Sequence, residues 1–92
     1  MIACRESIVI VNQRGLHARA SAKFVGMVSD LPPTCEVLVT KDGIEAVGGS
    51  ILGLMMLGAA KGDTIEISVS GEGAEDALEK LAMLVKDGFG ED

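Results

Sequence analysis

The stretch IVIVNQRGLHARASAKFVGMV, residues 8–28, changes its periodicity halfway along, and that change decides how the chain folds. It opens on Ile8, Val9, Ile10 and Val11, a run of β-branched side chains that packs well on a pleated surface and predicts a strand. From Ala18 onward the apolar residues Ala20, Phe24, Met27, Val28 and Leu31 fall mostly three and four apart, which places them on one face of a helix. Leu31-Pro32-Pro33 stops it, so the helix is predicted over Ala18–Ser29. Gly15 lets the backbone turn between the two elements, and His17, the one histidine of the chain, falls where the helix begins.

Working outward, the first strand is predicted within residues 2–11. Beyond the prolines, Cys35, Val37 and Val39 alternate with Glu36, Leu38 and Thr40. Lys41-Asp42-Gly43 signals a turn and Ile44–Val47 resumes the extended pattern, which makes a hairpin. Ser50, a favoured N-cap residue, precedes the apolar run ILGLMML, a short helix closed by Gly58. Thr64–Ser70 alternates Ile65, Ile67 and Val69 with polar neighbours and predicts a fourth strand. A last helical stripe of Ala74, Ala77, Leu78, Leu81, Ala82 and Val85 carries acidic residues at its start and Lys86 at its end, as the helix dipole favours. The tail, residues 88–92, is expected to fray. The order β-α-β-β-α-β-α predicts an α+β fold, a two-layer open-faced sandwich in which a four-stranded antiparallel sheet carries helices on one face.

The 92 residues, 48% of them apolar, suffice for one domain spanning residues 1–92 and leave no room for a second. With 14 acidic against 8 basic side chains and a net charge of −6, no run of lysine or arginine offers the footprint that nucleic-acid binding needs. Cys4 and Cys35 lie far apart with no CxxC spacing, which supports neither a metal site nor a redox motif and reads as two buried thiols in a reducing compartment. MIACRES at the N-terminus has neither a basic region nor an apolar core, and the apolar stretch 51–60 is too short to insert into a membrane. A cytoplasmic monomer without cofactor is expected.

His17 carries the chemistry. Backbone N–H groups at a helix start lack intrahelical partners, and the aligned peptide dipoles add partial positive charge, so the place binds anions. The same positive charge, with Arg19 nearby, favours a neutral, nucleophilic imidazole. A phosphoryl group on a ring nitrogen would meet the N–H groups of Ala18 and Arg19 and the Arg19 guanidinium, with Arg14 as a second, mobile charge. On spacing alone His17 also reads as a surface residue or an approximate cap, with Leu16 as a hydrophobic staple against Ala20 or Ser21.

The string GLHARAS closely resembles the active-site signature of the HPr family, the histidine-containing phosphocarriers of the bacterial phosphoenolpyruvate-dependent phosphotransferase system, whose pattern runs Gly-Leu-His-Ala/Thr-Arg-Pro-Ala/Ser. Every position matches but one: Ala20 stands where the family has proline, so a backbone N–H is present that the family lacks. GGSILGLMMLGAAKGD resembles the family's segment around its regulatory serine, and the element order is that of the family. The resemblance implies that His17 accepts a phosphoryl group on Nδ1 from phosphorylated enzyme I and passes it to an EIIA-type protein. Arg19 would stabilise the group in flight, and the chain would be a carrier turned over by its partners rather than an enzyme. The sugar-transport and nitrogen-related branches share the motif, and the residues do not separate them.

Ser50 reads by itself as a helix cap. The resemblance places it on the serine that an HPr kinase/phosphorylase modifies in many family members, where phosphate would add negative charge to the docking face. The short helix has more large apolar residues than it can bury on one side. Most of them are expected in the core, and the resemblance singles out Ile51, Leu52 and Met55 for a small partner-binding patch, together with Ala18 and Ala20 beside the histidine. A regulatory protein-binding module acting through the Ser50/Met55 surface is the competing reading. A hydrolase or mutase using His17 would need a second acid or base that the sequence does not offer.

Overall fold

Alternation along the strands and helical stripes between them can be satisfied together only if the helices cover one face of the sheet. The computed structural model describes residues 3–91 and takes that form. The elements are β1 (Cys4–Val9), α1 (Ala18–Ser29), β2 (Glu36–Lys41), β3 (Ile44–Val47), α2 (Ile51–Met56), β4 (Thr64–Ser70) and α3 (Ala74–Lys86). The four strands stand in the order β1-β4-β2-β3, and every pairing is antiparallel.

Register follows the apolar pattern, because a slip of one residue would turn a strand's buried set toward solvent. Ile8 lies opposite Ile65, Val37 and Val39 lie opposite Val69 and Ile67, and Val39 also faces Ala46. These residues are all buried, and with Phe24 of α1, Leu54 of α2, and Leu81 and Val85 of α3 they form the core. Glu6 shares the face of Ile8 at the sheet edge and reaches the Nζ of Lys86 on α3. Among the described residues no helix is long and apolar enough to cross a membrane.

β1 covers less of the chain than residues 2–11. Ile2 lies outside the described residues, and after Val9 the ladder gives way to a loop contact in which Ile10 N–H donates to Asp63 O and Gly62 N–H to Ile10 O, both at 2.8 Å. The thiols of Cys4 and Cys35 are free and only half-buried. Cys35 precedes β2, and its Sγ lies 3.2 Å from Glu72 O.

Gly15 decides where α1 begins. Its φ of +62° is left-handed, and a Cβ there would stand 2.2 Å from Ala59 O, so only glycine lets the loop close against the segment after α2. Leu16 N–H then donates to the same Ala59 O at 2.9 Å. Strand end, turn and helix start are thereby fixed against a neighbouring element.

The tail does not fray. After α3 the chain curls through a 3-10 turn over Gly88–Gly90, with left-handed φ at Gly88, Phe89 and Gly90, and Phe89 is 1% exposed. A left-handed conformation costs a residue with a Cβ about 1–2 kcal/mol, and burial of a phenylalanine side chain returns about 1.5–3 kcal/mol. The carbonyl of Phe89 also accepts from Lys23 Nζ of α1 at 2.6 Å. Asp92 lies outside the described residues.

Two substitutions test these anchors in urea unfolding. Phe89→Ala should lose about 3 kcal/mol; a loss below about 1 kcal/mol would mean that the tail contributes nothing to the core. Gly15→Ala should lose more than about 2 kcal/mol, since strain and overlap add.

Candidate functional site

His17 is the N-cap of α1, with extended backbone (φ −73°, ψ −177°). Its Nδ1 accepts the N–H of Arg19 at 3.2 Å, and Ser21 N–H closes the first helical turn on His17 O at 2.9 Å. A backbone N–H can only donate, so Nδ1 carries a lone pair and no proton. The other ring nitrogen, Nε2, lies 2.7 Å from the Glu91 Oε2 carboxylate oxygen. Two acceptors at that distance need a proton between them, so Nε2 is the protonated nitrogen and donates to Glu91. The neutral ring thus presents Nδ1 at the helix start as its lone-pair nitrogen.

Glu91 reaches the ring because the tail is anchored. Its other oxygen, Oε1, accepts from Asn12 Nδ2 at 3.1 Å, and the same amide nitrogen donates to Gly15 O at 2.9 Å. Asn12 is buried; its two acceptor partners hold Nδ2 toward them, and its Oδ1 has no hydrogen-bond partner. For Glu91, desolvation raises the pKa. The hydrogen bonds from Asn12 and His17, with the nearby positive charge of Lys23, outweigh it, holding the carboxyl below its ordinary value.

Ala18 and Arg19 are exposed at the start of α1. Ala20 is not. At 0% exposure its side chain packs in the core, so it offers partners no side-chain surface, contrary to the expectation that it joins the docking patch. Three turns of helix place position 20 on the inward stripe with Phe24, and that stripe outweighs its nearness to His17. Leu16, also buried, receives Ser21 Oγ–H on its carbonyl at 3.2 Å.

Ser50 caps α2, its Oγ accepting from Gly53 N–H at 3.0 Å. Ile51, Leu52 and Met55 are exposed, Leu52 at 68%, while Leu54 and Leu57 turn inward. Met56, at 75%, and Ile44 and Val47 of β3 extend the apolar surface beyond the residues read from sequence. A groove between β3 and α2, lined by Val47, Ser50, Gly53 and Met56 among others, lies beside the cap. Sequence reasoning also missed Asn12, Lys23, Phe89 and Glu91. Only the glycines flanking Phe89 hinted at a tail built to bend.

Known proteins resemble this chain along nearly its whole length. The family described as the PTS HPr component phosphorylation site matches residues 4–87. The phosphocarrier protein HPr of Neisseria meningitidis serogroup A is 46% identical over 87 residues, 95% of this chain and 96% of the relative. The phosphocarrier protein NPr of Escherichia coli K12 is 36% identical over 89 residues, covering 96% and 97%. Among solved structures, HPr of Thermoanaerobacter tengcongensis superposes with a TM-score of 0.90 at 35% identity, covering 97% of this chain and 98% of the other. The sheet order, the helix start at GLHAR and these matches along nearly the whole chain place the protein in the HPr family of phosphocarriers.

Proposed function

We propose that the chain, residues 1–92 acting as one domain in the cytoplasm, carries phosphoryl groups in the phosphotransferase system. It takes one from phosphorylated enzyme I on His17 and gives it to an EIIA-type protein. The observation that carries this reading is the lone pair of Nδ1 held at the N-terminus of α1, 3.2 Å from Arg19 N–H.

The geometry supports the following sequence. The Nδ1 lone pair attacks the phosphorus of the donor phosphohistidine; the new N–P bond forms as the donor's N–P bond breaks, and that electron pair returns to the donor imidazole. Arg19 N–H then shifts from the ring nitrogen to a phosphoryl oxygen, where a charge-assisted bond is stronger. The N–H of Ala18 precedes the first helical hydrogen bond and so has no intrahelical partner, and the exposed Arg19 guanidinium adds a mobile cation. Reversal of these steps on an EIIA-type histidine regenerates the free ring. The partners supply the turnover, and the chain is a carrier rather than an enzyme.

The exposed Ile51, Leu52 and Met55 beside the site serve as the docking patch for these partners. Phosphate on Ser50, added by an HPr kinase/phosphorylase, would place about −1.5 to −2 charges at its edge and weaken docking.

Incubation with enzyme I and phosphoenolpyruvate should add one acid-labile phosphoryl group by intact mass, and His17→Ala should add none. No gain in the unaltered chain with a competent enzyme I would favour a regulatory binding module acting through the Ser50/Met55 surface. Ser50→Asp should slow uptake by tenfold or more at unchanged thermal stability; equal rates would remove Ser50 from the regulation of docking.

A further inference from the structure

The backbone amide of Ala20 is a buried donor that the cap of α1 leaves out. With His17 as N-cap, Ala18, Arg19 and Ala20 are the first helical residues, and their N–H groups point back toward the cap with no carbonyl of the helix to receive them. Arg19 N–H takes the lone pair of His17 Nδ1 at 3.2 Å, and Ser21 N–H takes the His17 carbonyl at 2.9 Å. Among the described residues the N–H of Ala20 has no acceptor, and at 0% exposure the residue is closed to water as well. A buried N–H without a partner is rare and costly. It is also the donor that the proline of the family pattern would lack.

We propose that Ala20 N–H donates to a phosphoryl oxygen on His17 Nδ1, so that in this chain the phosphorylated histidine is held by one donor more than the family pattern provides. The proposal rests on the carrier reading and deepens it. A neutral imidazole nitrogen offers a single lone pair, and one N–H fills it. A phosphoryl group on the same nitrogen brings three strong acceptor oxygens, placed where the second and third N–H groups of a helix both converge on a cap or an anion. Arg19 and Ala20 are then satisfied together. The Ala20 amide needs no rearrangement to act, because the methyl beside it is packed in the core with Phe24. No covalent step is added: the N–P bond forms and breaks as described above, and the amide proton stays on its nitrogen. The donor is unpaired in the free chain and makes a charge-assisted bond in the phosphorylated one, so its effect falls on the balance between the two.

The test compares the full chain with two forms that lack this N–H. Ala20→Pro removes it with a residue that the family pattern accepts at this position; a synthetic chain with an ester in place of the amide between Arg19 and Ala20 removes it without added bulk. Each is brought to equilibrium with enzyme I, phosphoenolpyruvate and pyruvate, and the phosphorylated fraction is read by intact mass. An equilibrium, unlike a rate, does not depend on how well the chain docks. Both forms should lie about tenfold toward the unphosphorylated chain, as expected for loss of a charge-assisted hydrogen bond. In the unaltered ¹⁵N-labelled chain, the Ala20 amide proton should move downfield on phosphorylation, and its nitrogen should couple to ³¹P through the hydrogen bond. An unchanged equilibrium in the ester chain, a loss confined to Ala20→Pro, or an Ala20 amide that does not respond to phosphorylation would overturn the proposal and leave the carrier reading standing. Should Ala20→Pro fail to fold, the ester chain and the amide signal decide. Failure of the unaltered chain to accept a phosphoryl group from a competent enzyme I would overturn the carrier reading and the proposal with it.

Discussion

Everything at this site depends on how the first turn of α1 is capped. Four N–H groups at a helix start need partners outside the helix, and the side chains that usually serve are serine, threonine, aspartate and asparagine. Here an imidazole nitrogen does it. That choice fixes the lone pair on Nδ1, and the proximity of Glu91 fixes the proton on Nε2. It also sets that lone pair in the field of the helix dipole. The Gly15 turn, the Ala59 carbonyl that receives Leu16, and the Asn12 amide that ties Gly15 to Glu91 are the means by which the sheet and two distant segments hold that one cap in place.

The sequence revealed most of this, for a specific reason. Strong periodicities are local, and residues 18–29, 64–70 and 74–86 carry them without interruption, so those elements lie where the pattern puts them. Capping chemistry is local too, and Ser50 caps α2 as its neighbours imply. The failures concern tertiary placement. Gly-Phe-Gly beyond α3 reads as a loop, since nothing within it says that Phe89 meets a cavity prepared by elements far away in sequence. With Phe89 unread, the meeting of Glu91 and His17, 74 positions apart, was out of reach. Ala20 went wrong in the other direction: nearness to the histidine in sequence suggested a surface role, while the helical stripe with Phe24 sends the side chain inward.

The burial of Ala20 also bears on the position where the family pattern has proline. A proline at the third helical residue would remove an N–H that the helix does not use. Alanine retains that N–H and fits the core with a single methyl, at 0% exposure. The departure from the family pattern therefore leaves the helix start and the packing beneath it intact, and the ring geometry with them.

The two helix caps make a further point about stability and use. Ser50 makes a 3.0 Å bond to Gly53 N–H, whereas His17 makes a longer one of 3.2 Å to Arg19 N–H. Serine belongs to the strongly preferred caps and histidine does not, so α1 starts with a weaker bond than it could have. On the proposed cycle that weakness is useful, because the bond must break each time Nδ1 takes a phosphoryl group and re-form each time it gives one up. A tight cap would oppose every phosphorylation. A loose one, with the ring steadied from its other nitrogen, keeps the nucleophile oriented while leaving its lone pair cheap to release.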